Sequence, residues 1–70
     1  MNKELDRTFG GIVRNKREEL GLSQADLARK LSCPQSKVSR LESGLRSPSL
    51  RELVSLAKAL NTPLSDLLRN

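Results

Sequence analysis

The sequence predicts an all-α fold, and three observations carry that expectation. Apolar residues recur at helical spacing along nearly the whole chain. Strand signals are missing: β-branched residues are few, no run alternates, and no hairpin turn is present. Ser-x-x-acid patterns, which cap helices, stand directly before two of the apolar stretches. Seventy residues leave room for one core, so residues 1–70 are read as a single domain with its core over about 9–68. The apolar share is 36%, mostly leucine, with one Phe and no Trp or Tyr. That is lean, but too regular for disorder. A chain this short needs efficient helix packing or a partner.

Five helices are expected in order. The first runs from Asp6 to Glu19 with Phe9, Ile12, Val13 and Leu20 inward and Gly21 as its stop. Gly10 and Gly11 weaken its early turns by roughly 1 kcal/mol each relative to Ala, so that stretch either frays or packs closely. Ser23 opens the second helix, with Asp26 three residues on completing a capping box and Leu27, Ala28 and Leu31 as the buried stripe. Ser32 and Cys33 make a turn. Pro34 starts the third helix, where its missing N–H does no harm, and Val38 and Leu41 point inward before Gly44 ends it. After the loop at Leu45–Pro48, Ser49 and Glu52 repeat the capping box, and Leu50, Leu53, Val54, Leu56, Ala57 and Leu60 follow at helical spacing. Thr62 before Pro63 signals a short fifth helix, Pro63–Leu68. Its leucines and Leu60 serve mainly as core; any of Leu60, Leu64, Leu67 and Leu68 left uncovered would form a self-associating patch.

Charge narrows the function. Residues 1–28 and 52–70 are each electrically balanced, so the formal net charge of +5 resides in residues 29–51, where six basic groups face only Glu42. A basic cluster confined to one motif is the footprint of a polyanion-binding face. Catalysis is not expected, because there is no His, Tyr or Trp, one Cys, and only dispersed carboxylates. The same composition offers no metal-ligand cluster and no cofactor site. Cys33 stands alone, so no intrachain disulfide forms; it reads as a small apolar residue in a reducing cytoplasm. No apolar run reaches the length of a membrane span, and the N-terminus lacks the apolar region of a signal peptide.

Residues 23–44 concentrate the signal. Two helices crossing at roughly a right angle through a tight turn need a small residue at the crossing, which Ala28 supplies, and apolar residues in the wedge, here Leu27, Leu31, Val38 and Leu41. That leaves Gln35, Ser36, Lys37, Ser39 and Arg40 on an outward face able to enter a groove about 12 Å wide. On an isolated helix such a face is more often solvated surface, but within this motif it is read as a contact face; Arg29, Lys30 and Arg51 are read as solubilising charges.

These residues resemble the phage-repressor-like helix-turn-helix family of the Cro/CI or Xre type. The resemblance is carried by Leu20-Gly21-Leu22-Ser23-Gln24, Leu27-Ala28, Gln35 through Gly44, Pro48-Ser49-Leu50 and Leu56-Ala57-Lys58-Ala59-Leu60. It covers roughly Phe9 to Leu68, and the concatenation of all five blocks is far more specific than the turn alone. It implies a five-helix lambda-repressor-like domain that binds double-stranded DNA as a homodimer in a bacterial or phage-host cytoplasm, with helix 34–43 in the major groove. It implies base contacts from Gln35, Ser36, Ser39 and Arg40, and phosphate contacts from Gln24, Lys37, Ser43 and Arg46. Gln24 would also brace the start of the recognition helix. Arg17 and Glu42 match a structural tether between the first helix and the end of the recognition helix. Two positions depart from the pattern: Ser32 stands where Gly is usual, at about 1 kcal/mol if left-handed, and Pro34 replaces the usual Ser or Thr cap.

The expected function is therefore a sequence-specific transcriptional regulator, a repressor by preference. The alternatives are a DNA-binding antitoxin or a restriction-modification controller, whose work includes protein interaction, and a purely structural helical adaptor. The chain reads equally well as a whole protein or as a module of a longer regulator.

Overall fold

The computed structural model of the protein describes residues 3–68; residues 1–2 and 69–70 of the predicted domain lie outside the described residues. Five helices follow in order: α1 (Lys3–Glu19), α2 (Gln24–Leu31), α3 (Gln35–Glu42), α4 (Leu50–Ala59) and α5 (Leu64–Leu67). No strand occurs among the described residues.

Helix starts follow local chemistry. Ser23 and Ser49 each form a full capping box. The Ser23 hydroxyl accepts from the Asp26 N–H and the Asp26 carboxylate accepts from the Ser23 N–H, both at 2.9 Å. Ser49 and Glu52 repeat the exchange at 2.8 and 3.2 Å. Helices α3 and α5 begin instead after Pro34 and Pro63, with no side-chain cap; each proline occupies the cap itself, so each helix begins one position after the predicted start. Helix α1 begins three residues earlier than predicted, because Glu4 and Asp6 in its first turn complement the helix dipole and nothing before Gly10 interrupts it.

Helix ends share one device. At the close of α1, α2, α3 and α4 the chain enters the left-handed region, at Gly21 (φ 71°), Ser32 (φ 56°), Gly44 (φ 75°) and Asn61 (φ 49°). In each case the next N–H reaches back five residues: Leu22 to Arg17, Cys33 to Ala28, Leu45 to Arg40 and Thr62 to Ala57, at 2.9–3.1 Å. This is the Schellman arrangement, which satisfies the last carbonyls of a helix. It also explains why Leu20, expected inward, is 48% exposed: it lies past the end of α1, where the chain has already begun to turn.

The core is Val13, Leu27, Ala28, Val38, Leu41, Leu56, Leu60 and Leu67, one contiguous cluster drawn from all five helices and the end of α4, with Phe9, Ile12, Leu31, Cys33 and Leu64 packed partly against it. Of the four late leucines, Leu60 and Leu67 are buried, Leu64 is half-buried and Leu68 is exposed. Leu50 and Val54 of α4 also face outward. Helix α3 packs on α2 and α1. The α1 contact is a backbone one: a Cβ on Gly10 would stand 2.5 Å from the Leu41 carbonyl oxygen and 2.6 Å from that of Glu42. Gly10 therefore packs closely rather than frays, and it lets α1 sit directly on the last turn of α3.

Candidate nucleic-acid interface

The turn between α2 and α3 has its geometry fixed from inside. Leu27, Ala28, Val38 and Leu41 are buried in the wedge. Ser32 adopts φ 56°, ψ 45°, and the N–H groups of Ser32 and Cys33 close the end of α2 onto Arg29 and Ala28. The left-handed cost at Ser32 is borne because these bonds and the wedge overdetermine the turn. With Val38 and Leu41 inward, α3 presents Gln35, Ser36 and Arg40 to solvent and leaves Ser39 half-buried beside them. Among the described residues, no other side chain bonds Gln35, Ser36 or Arg40. Ser43 is exposed at the end of α3, its hydroxyl donating to the Ser39 carbonyl at 2.9 Å.

A buried ionic cluster locks the far end of this helix. The Arg17 Nε donates to Glu42 Oε2 at 2.6 Å and Nη2 to Oε1 at 3.0 Å. The remaining Nη1 donates to the Leu22 carbonyl at 2.7 Å. Gln24 Nε2 adds a third donor to Glu42, at 3.1 Å. The Arg17 and Glu42 side chains are only 9% and 3% exposed, so the pair is a desolvated one with fork geometry rather than a surface contact. Hydrogen bonding to Glu42 holds the Arg17 pKa above the ordinary arginine value, against the opposing effect of burial. Arg17, Gln24 and Glu42 thus form one unit joining α1, the α1–α2 loop, α2 and the end of α3. Gln24 reaches the end of α3 in this arrangement, not its start.

Lys37 and Arg46, expected at phosphates, are both engaged by Glu52. Arg46 Nη1 and Nη2 donate to Glu52 Oε1 and Oε2 at 2.8 and 2.7 Å, and Lys37 Nζ approaches Oε2 at 2.8 Å. The same Oε1 accepts the Ser49 N–H. Arg46 above all, then Lys37 and the Ser49 N–H, hold the Glu52 carboxyl far below the usual carboxylate range, against desolvation. Reciprocally, bonding to Glu52 raises the Arg46 pKa. All three groups share the rim of an apolar cleft of about 200 Å³ floored by Leu31, Val38, Leu41 and Leu56, which Cys33 and Arg51 also line. Sequence reasoning missed this clamp. Glu52 had a complete local role as a cap, and it lies one residue beyond the basic segment whose charge it neutralises. The signal available was that border: two of the six cations of residues 29–51 lie within reach of an acid just outside it. Arg29, read as solubilising, pairs with Asp26 along α2.

Among the described residues there is no group of three or more metal-type ligands, and no helix is long and apolar enough to cross a membrane. The helix-turn-helix family model matches residues 13–67. No protein of curated function matches the sequence significantly. In three dimensions the chain is similar to the restriction-modification controller protein C.AhdI from Aeromonas hydrophila, with a TM-score of 0.84 and 36% identity, covering 87% of this chain and 92% of that one. It is similar to the clp gene regulator ClgR from C. glutamicum, with a TM-score of 0.86 and 28% identity over 91% of this chain and 83% of that one. It also matches the DNA-binding domain of BldD, with a TM-score of 0.88 and 27% identity over 99% and 100% of the two chains. Buried wedge, locked α3 and matching sequence blocks agree with these likenesses: the chain belongs to the Cro/CI and Xre type of the helix-turn-helix family.

Proposed function

We propose that the protein is a sequence-specific transcriptional regulator, acting as a repressor, that inserts α3 into the major groove of double-stranded DNA. The observation that carries this reading is the contrast along α3. Its inner side is buried and its far end is held by Arg17, Glu42 and Gln24, while Gln35, Ser36 and Arg40 stay exposed on its outer side. A rigid helix with unspent donors and acceptors is what base reading requires. Gln35 pairs two ways with adenine and Arg40 two ways with guanine, with Ser36 and Ser39 beside them. Gln24 and Ser43 contact phosphates, and the uncapped N-terminus of α3 favours an anion nearby.

The protein binds as a two-fold homodimer on adjacent half-sites, and its setting is the cytoplasm. Selection of bound duplexes from a random pool tests the proposal. The expected product is a palindromic site with half-site centres about one helical turn, roughly 34 Å, apart. Arg40→Ala relaxes the preference at one position per half-site, by about 1–3 kcal/mol. Failure to enrich any sequence would remove the sequence-specific reading. The likeness to a restriction-modification controller at 36% identity favours a second, narrower reading, in which the regulated genes encode a nuclease and its methyltransferase. Binding of the selected site upstream of such a gene pair is its test.

A further inference from the structure

Glu52 sits in an electrostatic position that its role as a helix cap does not require. Capping α4 uses one oxygen on the Ser49 N–H, and an uncharged Gln performs that task as well. Yet the carboxylate also takes a two-pronged Arg46 and the Lys37 ammonium. Arg in fork geometry with a carboxylate presents the same donors that it offers a phosphate diester. Lys37 stands on the recognition helix itself, next to Ser36, and its side chain is still 41% exposed. We infer that Glu52 is an internal competitor for DNA phosphate, holding Lys37 and Arg46 and so setting the affinity and salt dependence of backbone binding. This rests on the DNA-binding reading above.

The physical consequence follows from counterion release. A cation already neutralised by an internal carboxylate contributes less to the salt dependence of DNA binding than a free one. Two cations on one carboxylate leave an excess positive charge, so the site attracts phosphate even with the clamp closed. Lys37, with one contact and the greater exposure, is the first to transfer; Arg46, with two, is the last. Because phosphate contacts carry little sequence information, Glu52 acts on affinity for all DNA and leaves base preference alone.

The test uses the full chain and a mixed-sequence duplex two helical turns long, titrated over a salt series. Glu52→Gln keeps the cap and frees both cations, so the slope of log K against log salt steepens by about 1 to 2, at about 0.9 per phosphate neutralised. Glu52→Asp keeps both the charge and a capping acid, as Asp26 does in α2, but withdraws the carboxylate by one methylene; its slope falls between the two. Glu19→Gln, an exposed carboxylate at the end of α1, matches the charge change of Glu52→Gln outside the clamp and leaves the slope unchanged. Lys37→Gln then removes about 0.9 from the slope in the Glu52→Gln background but less in the wild type. If the wild type binds with salt dependence while neither Glu52 variant steepens it, the inference fails alone. Equal steepening by Glu19→Gln also overturns it, since net charge would then explain everything. Absence of salt-dependent binding by the wild type would overturn the DNA-binding reading and this inference with it.

Discussion

At the scale of residues, two carboxylates do opposite work. Glu42 is buried with Arg17 and accepts three donors, so removing it strands a desolvated guanidinium. Glu42→Ala is expected to destabilise the domain by about 3–5 kcal/mol, the cost of an uncompensated buried charge. Replacing both partners, as Arg17→Met with Glu42→Leu, recovers most of that loss; urea unfolding of the single and double variants measures both. For a domain whose whole stability is of order 5–15 kcal/mol, the single variant decides whether it folds. Glu52 is only partly buried, its side chain 23% exposed, and its effect appears in pH instead. Its folded pKa lies below the ordinary value of 4.5, so its contribution is complete above that value and is lost as the pH falls toward the folded pKa. The stability difference between wild type and Glu52→Gln should therefore be constant from pH 7 down to about 5 and shrink steadily in more acid solution. A difference that widened on acidification would contradict the clamp. Thermal melts across that range measure it.

At the scale of elements, the position of α3 depends on what α1 lets through. Gly10 meets the Leu41 and Glu42 carbonyls at 2.5 and 2.6 Å from where a Cβ would stand, whereas a Cβ on its neighbour Gly11 would meet nothing within 4 Å. Adjacent substitutions thus have opposite signs. Gly11→Ala gains helix propensity and stabilises by up to about 1 kcal/mol; Gly10→Ala pushes α1 off α3 and costs about 1–3 kcal/mol, with DNA binding reduced as well. Denaturant unfolding of the two variants, side by side, checks the claim. The sequence made the capping boxes, the inward wedge and the helix order legible, because each rests on residues within one turn of each other. Leu20 and the Glu52 clamp were not legible for the opposite reason. Periodicity extends Leu20 onto the inner face of a helix that the Gly21 turn has already ended. Glu52 reaches Lys37 across fifteen residues and a change of element, which no local pattern encodes. The two glycines of α1 read alike in sequence; only the approach of α3 separates them.

At the scale of the molecule, size constrains how it meets DNA. The domain extends 27 × 24 × 21 Å, which is less than the roughly 34 Å of one helical turn. One copy therefore covers one half-site, and two copies on successive turns of the same face come close enough to touch through their side chains. With Leu50, Val54 and Leu68 exposed on α4 and α5, apolar surface is available for such a contact, though each residue alone is an ordinary surface feature. Cooperativity on DNA should then require both the right helical phase and the short spacing of one turn. On a duplex carrying two selected half-sites about 10 base pairs apart, occupancy rises more steeply than on a single half-site. Inserting about five base pairs rotates the second copy to the opposite face of the duplex and abolishes that gain, while a full additional turn restores the face but not the contact. Electrophoretic titration of the single half-site and the three two-site duplexes distinguishes these outcomes. Equal steepness on all of them would mean that the copies bind independently and that the two-fold arrangement is not how this protein reads its site.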